Sequence, residues 1–168
     1  QEAGADHQRP QERLDTRMMA ERTLDYGLAI QVANSVFDEI SEDGVTEFLP
    51  DVVNEYWVSL TTDQLIGMYR IHQLNAITYQ IHALIMPEHR GHAKESGRVI
   101  LEWCLDNIDF AKLVAEIPEK YPNVYHFTKS MGFSDEGTNR LSFLKDKTVW
   151  NTHRLGQTRE EVETWLQH

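Results

Sequence analysis

Residues 77–107, ITYQIHALIMPEHRGHAKESGRVILEWCLDN, contain the pattern on which the reading of the fold turns. Ile77 to Met86 is a run of β-branched, aromatic and aliphatic residues that reads as a strand, closed by Pro87. Glu88, His89, Arg90, Gly91, His92 and Ala93 follow, and then a helix from about Lys94 to Asn107. Its apolar face is Val99, Ile100, Trp103, Cys104 and Ile108. A strand that runs through a Gly-containing loop into a helix is suited to hold an anion. N–H groups of the loop and first turn lack partners there, and the helix dipole adds about half a positive charge. Gly91 lets the backbone approach a pyrophosphate, Ala93 keeps the helix start uncrowded, and Arg90 and Lys94 supply charge-assisted contacts. One glycine and two basic residues at a helix start also describe an ordinary loop, and this segment alone does not separate the two.

Upstream of that stretch, Tyr56 to Leu60 and Gln64 to His72 are two further β-rich runs separated by the turn Thr61-Thr62-Asp63. With Ile77 to Met86 they make an antiparallel meander. Before them, Asp25 to Ile40 carries Leu28, Ile30, Val32, Ala33, Val36, Phe37 and Ile40 at helical spacing, stopped at Ser41 to Gly44. A second short helix is expected over Glu47 to Tyr56, against the presence of Pro50. Residues 1–16 are polar and aperiodic and read as a flexible arm preceding one domain over residues 17–168. Downstream, Lys112 to Ile117 is a strand and Asn123 to Met131 a helix with Gly132 as its C-cap. A hairpin follows over Leu141 to Leu144 and Thr148 to Trp150, and Arg159 to Leu166 reads as an exposed helical tail. The order gives an α+β fold with a mixed sheet, because strand, loop, helix, strand over Ile77 to Ile117 is a right-handed crossover.

The chain has 168 residues and a net charge of −11. That field opposes binding to phosphate backbones, so nucleic acid is not an expected partner, and it attracts cations such as amines. It also serves solubility alone. No apolar run approaches the roughly 20 residues of a membrane span. The sequence shows no secretory leader, and Cys104 stands alone, so a cytoplasmic location is expected. His89 and His92 have a metal-compatible spacing, but no Cys or carboxylate cluster joins them, so no metal is expected.

The segment LIMPEHRGHAKESGRVILEWCLDN resembles the acyl-coenzyme A loop and helix of the GCN5-related N-acetyltransferase (GNAT) superfamily. That pattern runs Gln or Arg, two variable residues, Gly, one variable residue, then Gly or Ala; here its places hold Glu88, His89, Arg90, Gly91, His92 and Ala93, with Glu88 departing from it. YPNVYHFTKSMGF is similar to the family's fourth helix, with Phe127, Gly132 and Phe133 on matching positions. EGTNRLSFLKD, Glu136 to Asp146, is similar to a subgroup of GNAT-like proteins found in bacteriophage genomes.

The resemblance implies a largely antiparallel sheet flanked by helices, whose fourth and fifth strands splay to admit the pantetheine arm of acetyl-CoA. By position, the backbones of Ala83 and Ile85 would pair with that arm, and an N–H near Leu84 would take the acetyl carbonyl. His89, Arg90, Gly91, His92, Ala93, Lys94 and Phe127 would complete the cofactor site. The expected reaction is direct attack of an amine on the thioester, with His82 as general base and Gln80 beside it positioning substrate or water. His82 is equally readable as a half-buried strand histidine paired with a neighbour. His72 reads as a surface residue at a strand end. The family's usual Tyr acid falls on Thr128, a poor acid; Tyr125, one turn away, is the substitute, unless it serves the core. Asn139, Arg140 and Ser142 are weak candidates for substrate contact. The acceptor is an amine on a small molecule or on a protein, a host protein if the bacteriophage resemblance holds, and a homodimer is expected through edge strands. The rival reading is a non-enzymatic GNAT-fold module that is virion-associated or binds a host factor.

Overall fold

The computed structural model of the protein describes residues 17–168, so the arm expected over residues 1–16 lies outside the described residues. The elements are β1 (Met19–Arg22), α1 (Tyr26–Ile40), β2 (Tyr56–Thr61), β3 (Leu65–Gln73), β4 (Thr78–Ile85), α2 (Ala93–Asn107), β5 (Lys112–Pro118), α3 (Pro122–Ser130), β6 (Ser134–Lys145), β7 (Thr148–Thr158) and α4 (Arg159–Leu166). A 3-10 segment, Pro87–His92, joins β4 to α2. Among the described residues the strands form one sheet in the order β1-β2-β3-β4-β5-β7-β6, in which only the β4–β5 pair is parallel.

Alternation along the strands divides the apolar residues between the two faces. Val58, Leu60, Tyr69, Ile71, Ile81, Ile85, Leu113 and Ile117 meet Ile100, Leu101 and Cys104 of α2 and Val162 of α4 in the larger core. Trp57, Met68 and Leu84 turn to the opposite face and meet Ala29, Val32, Ala33 and Val36 of α1. Asp25 caps α1 by accepting from Leu28 N at 3.1 Å.

Three expectations are corrected, and one strand lies where the sequence pattern assigned no element. No helix forms over Glu47 to Tyr56: after Pro50, Asp51 Oδ1 accepts from Asn54 N at 3.1 Å and holds a turn instead. Met19–Arg22 is a strand, paired antiparallel with Val58 to Thr61 of β2. The final hairpin is far longer than read, with β6 beginning at Ser134 and β7 ending at Thr158. The last helix is no exposed tail: Val162 is fully buried, and the Arg159 guanidinium donates to the Leu105 and Ile108 carbonyls at 2.8 and 3.0 Å.

The β6–β7 tip leans on the end of α1. Asp43 accepts from Asp146 N and Lys147 N at 3.0 and 2.7 Å, and Lys145 Nζ donates to the Asp38 and Ser41 carbonyls at 2.7 Å. These bonds tie the far end of the sheet across to the helix that covers β3 and β4.

Gly67 on β3 sits opposite Ile85 of β4, and a Cβ there would lie 2.4 Å from the Leu84 carbonyl oxygen and 2.8 Å from Ile85 Cα. Gly67→Ala is expected to lower unfolding free energy by about 1–3 kcal/mol through overpacking against backbone. Urea denaturation measures this; an unchanged midpoint contradicts the close approach.

Candidate functional site

β4 and β5 begin as neighbours and then part. Their pairing is confined to Thr78–Gln80 against Lys112–Val114. Beyond Gln80, β4 continues to Ile85 bonded only to β3, while β5 continues to Pro118 bonded only to β7. A V-shaped cleft with two unpaired inner edges results. On the β3 side, Leu74 N donates to Thr78 O at 2.9 Å and Met86 N to Ile66 O at 3.2 Å; on the β5 side, Ile77 O accepts from Ala111 N and Lys112 N at 2.9 and 3.2 Å. Backbone groups alternate in direction along a strand, so Ile81, Ala83 and Ile85 present their N–H and C=O to the cleft. Leu84 presents its own to β3 opposite Met68, and its side chain is buried against α1. The N–H expected near Leu84 is therefore that of Ala83 or Ile85, and Leu84 itself does not face the cleft.

The loop at the cleft mouth is a 3-10 turn running directly into α2. A Cβ at Gly91 would meet nothing within 4 Å, so packing within the protein does not require glycine here. Arg90 forms an ion pair with Glu39 on α1, and both are half exposed. His92 Nδ1 lies 3.8 Å from Glu95, and the His89 and His92 rings are 6.4 Å apart. Beside the loop, Gly91, Lys94, Glu95, Arg98, Ser130, Trp165 and His168 line a groove of about 640 Å³. Arg98 lies over the Trp165 ring at 5.9 Å. Phe127 is partly buried against the larger core.

On the α1 face of the sheet, β3 and β4 bring Arg70, His72, Gln80 and His82 together, since His82 is in register with Arg70 and Gln80 with His72. Arg70 is held by Glu55 through Nε and Nη2 at 2.9 and 2.6 Å. His82 Nε2 lies 3.0 Å from His72 Nε2. Burial first, then the Arg70 charge and His72, bring the His82 pKa down to about 3. That lies well below the ordinary histidine value near 6.5; Arg70 two places before His72 is a signal the sequence carried, but its effect on His82 depends on the register. His72 also is no lone surface residue. Its pKa is lowered by burial and by Arg70, against the opposing pull of Glu55 and Glu116.

The hydroxyls of α3 are largely committed. Tyr125 OH donates to Asp135 of β6 at 2.8 Å, on the edge strand farthest from the cleft on that side, and this bond raises its pKa. The Tyr125 hydroxyl, expected as the acid, is thus engaged by a carboxylate in this structure. Thr128 Oγ1 donates to Val124 O at 2.8 Å. Tyr121, at the N-cap of α3, has a buried hydroxyl without a hydrogen-bond partner among the described residues. Its ring stands edge-on to Phe143 at 6.2 Å, and burial together with the nearby Asp146 and Glu39 charges raises its pKa. Glu39, paired with Arg90 in the loop after β4, is also one of the charges that raise the Tyr121 pKa. Asn139, Arg140 and Ser142 sit in an irregular stretch of β6, where Ser142 Oγ is bonded to Asn139 O and Thr152 Oγ1 at 2.9 and 2.7 Å; the structure does not bring them to His82. No group of three potential metal ligands gathers among the described residues, and no helix among them is long and apolar enough to cross a membrane.

A family model described as "Protein of unknown function (DUF2824)" matches residues 34–168. The chain belongs to that family. No curated protein matches the sequence. Among solved structures, the spermidine N-acetyltransferase from Vibrio cholerae in complex with CoA and spermine is similar at TM-score 0.74 and 14% identity, covering 87% of this chain and 98% of that chain. A chimera of the Vibrio cholerae enzyme SpeG with hSSAT is similar at TM-score 0.72 and 16% identity, covering 88% and 99%. At such identity the likeness is one of fold. The family member described here has the GNAT fold, with the splayed β4–β5 cleft expected from its sequence.

The His82 pKa gives a direct test. A folded-state value of about 3 lies below the ordinary value near 6.5, so between those two pH values the unfolded chain binds a proton that the folded chain refuses. Stability is therefore expected to fall as pH is lowered through that window, with no contribution from this ring above it. The His82 Cε1–H resonance is expected to stay fixed from pH 8 to pH 5; a midpoint near 6.5 contradicts the assignment.

Proposed function

We propose that this protein is an acyl-CoA-dependent N-acetyltransferase acting on an amine. One observation carries the proposal: the parting of β4 and β5, which leaves the Ile81, Ala83 and Ile85 backbone edge unpaired next to a loop that opens α2. An amide-bearing pantetheine arm pairs with such an edge as an added strand. The pyrophosphate belongs at Gly91 to Lys94, where the α2 N-terminus favours negative charge and the space above Gly91 is open. Lys94 and Arg98 suit the phosphorylated nucleotide end in the adjoining groove. Arg90 serves there once it exchanges Glu39 for phosphate.

Acetyl-CoA supplies a thioester activated for acyl transfer. The chain supplies orientation and proton handling. The N–H of Ala83 or Ile85 is directed at the thioester carbonyl, where charge develops. His82 takes the amine proton. For the departing sulfur, Tyr121 offers a hydroxyl that has no hydrogen-bond partner among the described residues and is kept protonated by its raised pKa, whereas the Tyr125 and Thr128 hydroxyls are committed to Asp135 and Val124. The acceptor is a small primary amine, a reading supported by the net charge of −11, by Glu39 at the cleft mouth, and by a fold relative that binds spermine.

Calorimetric titration with acetyl-CoA tests the site. Micromolar binding is expected for the wild type and none for Gly91→Glu, whose folding is unaffected because its side chain enters open space. Equal affinity removes the loop assignment; no binding by the wild type favours a module used for contact. His82→Ala is expected to lower turnover on the order of 10²-fold, and unchanged turnover places the base elsewhere.

A further inference from the structure

The His72 and His82 rings are 11° from parallel with centroids 5.2 Å apart, while their Nε2 atoms are 3.0 Å apart. The centroid separation exceeds the nitrogen separation by nearly the reach of two imidazole radii. Both nitrogens therefore lie close to the line joining the centroids, and the rings meet edge to edge, nearly coplanar, rather than face to face. A head-to-head N···N contact of this kind holds one proton. In the uncharged pair, one ring must be the Nε2–H donor and the other the Nδ1–H tautomer whose Nε2 accepts.

We propose that His72 and His82 form a proton relay, in which His72 holds His82 in the Nε2–H form and receives the proton that His82 takes from the substrate amine. This rests on the reading of His82 as the base. His72 is the ring more open to water, which solvates an Nδ1–H; His82 then keeps its Nδ1 lone pair, for which no protein partner is present among the described residues. The charged groups acting on the pair are Arg70 from β3, Glu55 from the segment before β2, and Glu116 from β5; α1, packed over the same face, adds none. Arg70 opposes a positive charge on either ring, whereas the two carboxylates favour charge on His72 alone. A proton arriving at His82 is thus driven on toward His72.

The step balances without any redox partner. An amine N–H breaks as His82 Nδ1–H forms; His82 Nε2–H breaks as His72 Nε2–H forms; the His72 Nδ1 proton leaves to water. Each ring ends as the opposite tautomer and resets by exchange with water. His72 is accordingly a positioning residue, acting through His82.

Two-bond ¹H–¹⁵N spectra of histidine-labelled protein at pH 7 read the tautomers without any turnover. Nε2–H on His82 together with Nδ1–H on His72 is expected; the same tautomer on both rings, or Nδ1–H on His82, overturns the proposal. In His72→Phe, His82 is expected to become a tautomer mixture. Its acetyl transfer to spermidine as probe should fall on the order of 10²-fold in kcat, with the KM for acetyl-CoA unchanged. Wild-type kcat in His72→Phe overturns the relay and leaves the enzyme reading standing. A wild type that neither binds acetyl-CoA nor acetylates spermidine overturns both.

Discussion

A strand that leaves its neighbour halfway along a sheet keeps a row of N–H and C=O groups that must find water or a ligand. Here that row lies in the middle of the sheet, between β4 and β5, and not at its rim. The surrounding structure keeps the two strands apart. β4 is pressed onto β3 at Gly67, which has no room for a side chain, and β5 is bound along its other edge to β7 from Lys112 to Pro118. With each strand anchored on its outer side, the inner edges stay open, and the 3-10 turn after β4 brings a helix start to the mouth of the gap.

Charge is distributed unevenly about this opening. At the mouth, Arg90 is neutralised by Glu39, so a ligand phosphate competes for a guanidinium already in contact with a carboxylate. Both groups are half exposed, and an ion pair of that kind is worth at most about 1 kcal/mol, which a polyanion can displace. Deeper on the α1 face, the Glu55–Arg70 pair is more enclosed, and its positive end stands next to His82. The same arginine that orders the face therefore denies His82 a resting proton.

Much of this was legible from residue patterns. Ile77 to Asn107 marked its strand, loop and helix through β-branched content, Pro87, Gly91 and the apolar spacing of Val99 to Cys104. The parting of β4 from β5 entered through the family resemblance, since no local pattern encodes where two strands stop pairing. Met19–Arg22 escaped because four residues, largely exposed, carry no alternation, and their partner lies some forty positions on. The first half of β6 escaped for a similar reason: Ser134 to Arg140 is exposed throughout and is held as a strand by β7 alone. The His72–His82 contact depends on the register of β3 against β4. Tyr121 was passed over because its hydroxyl gains meaning only once Tyr125 is seen bonded to Asp135.

The central claim is that the open β4 edge receives an acyl-CoA as an added strand, and amide hydrogen exchange at single-residue resolution addresses it most directly. Saturating acetyl-CoA should slow exchange at Ala83 and Ile85, whose N–H groups face the cleft, and leave Leu84, already paired to β3, unchanged. Unaltered exchange at Ala83 and Ile85 with the ligand demonstrably bound would contradict it.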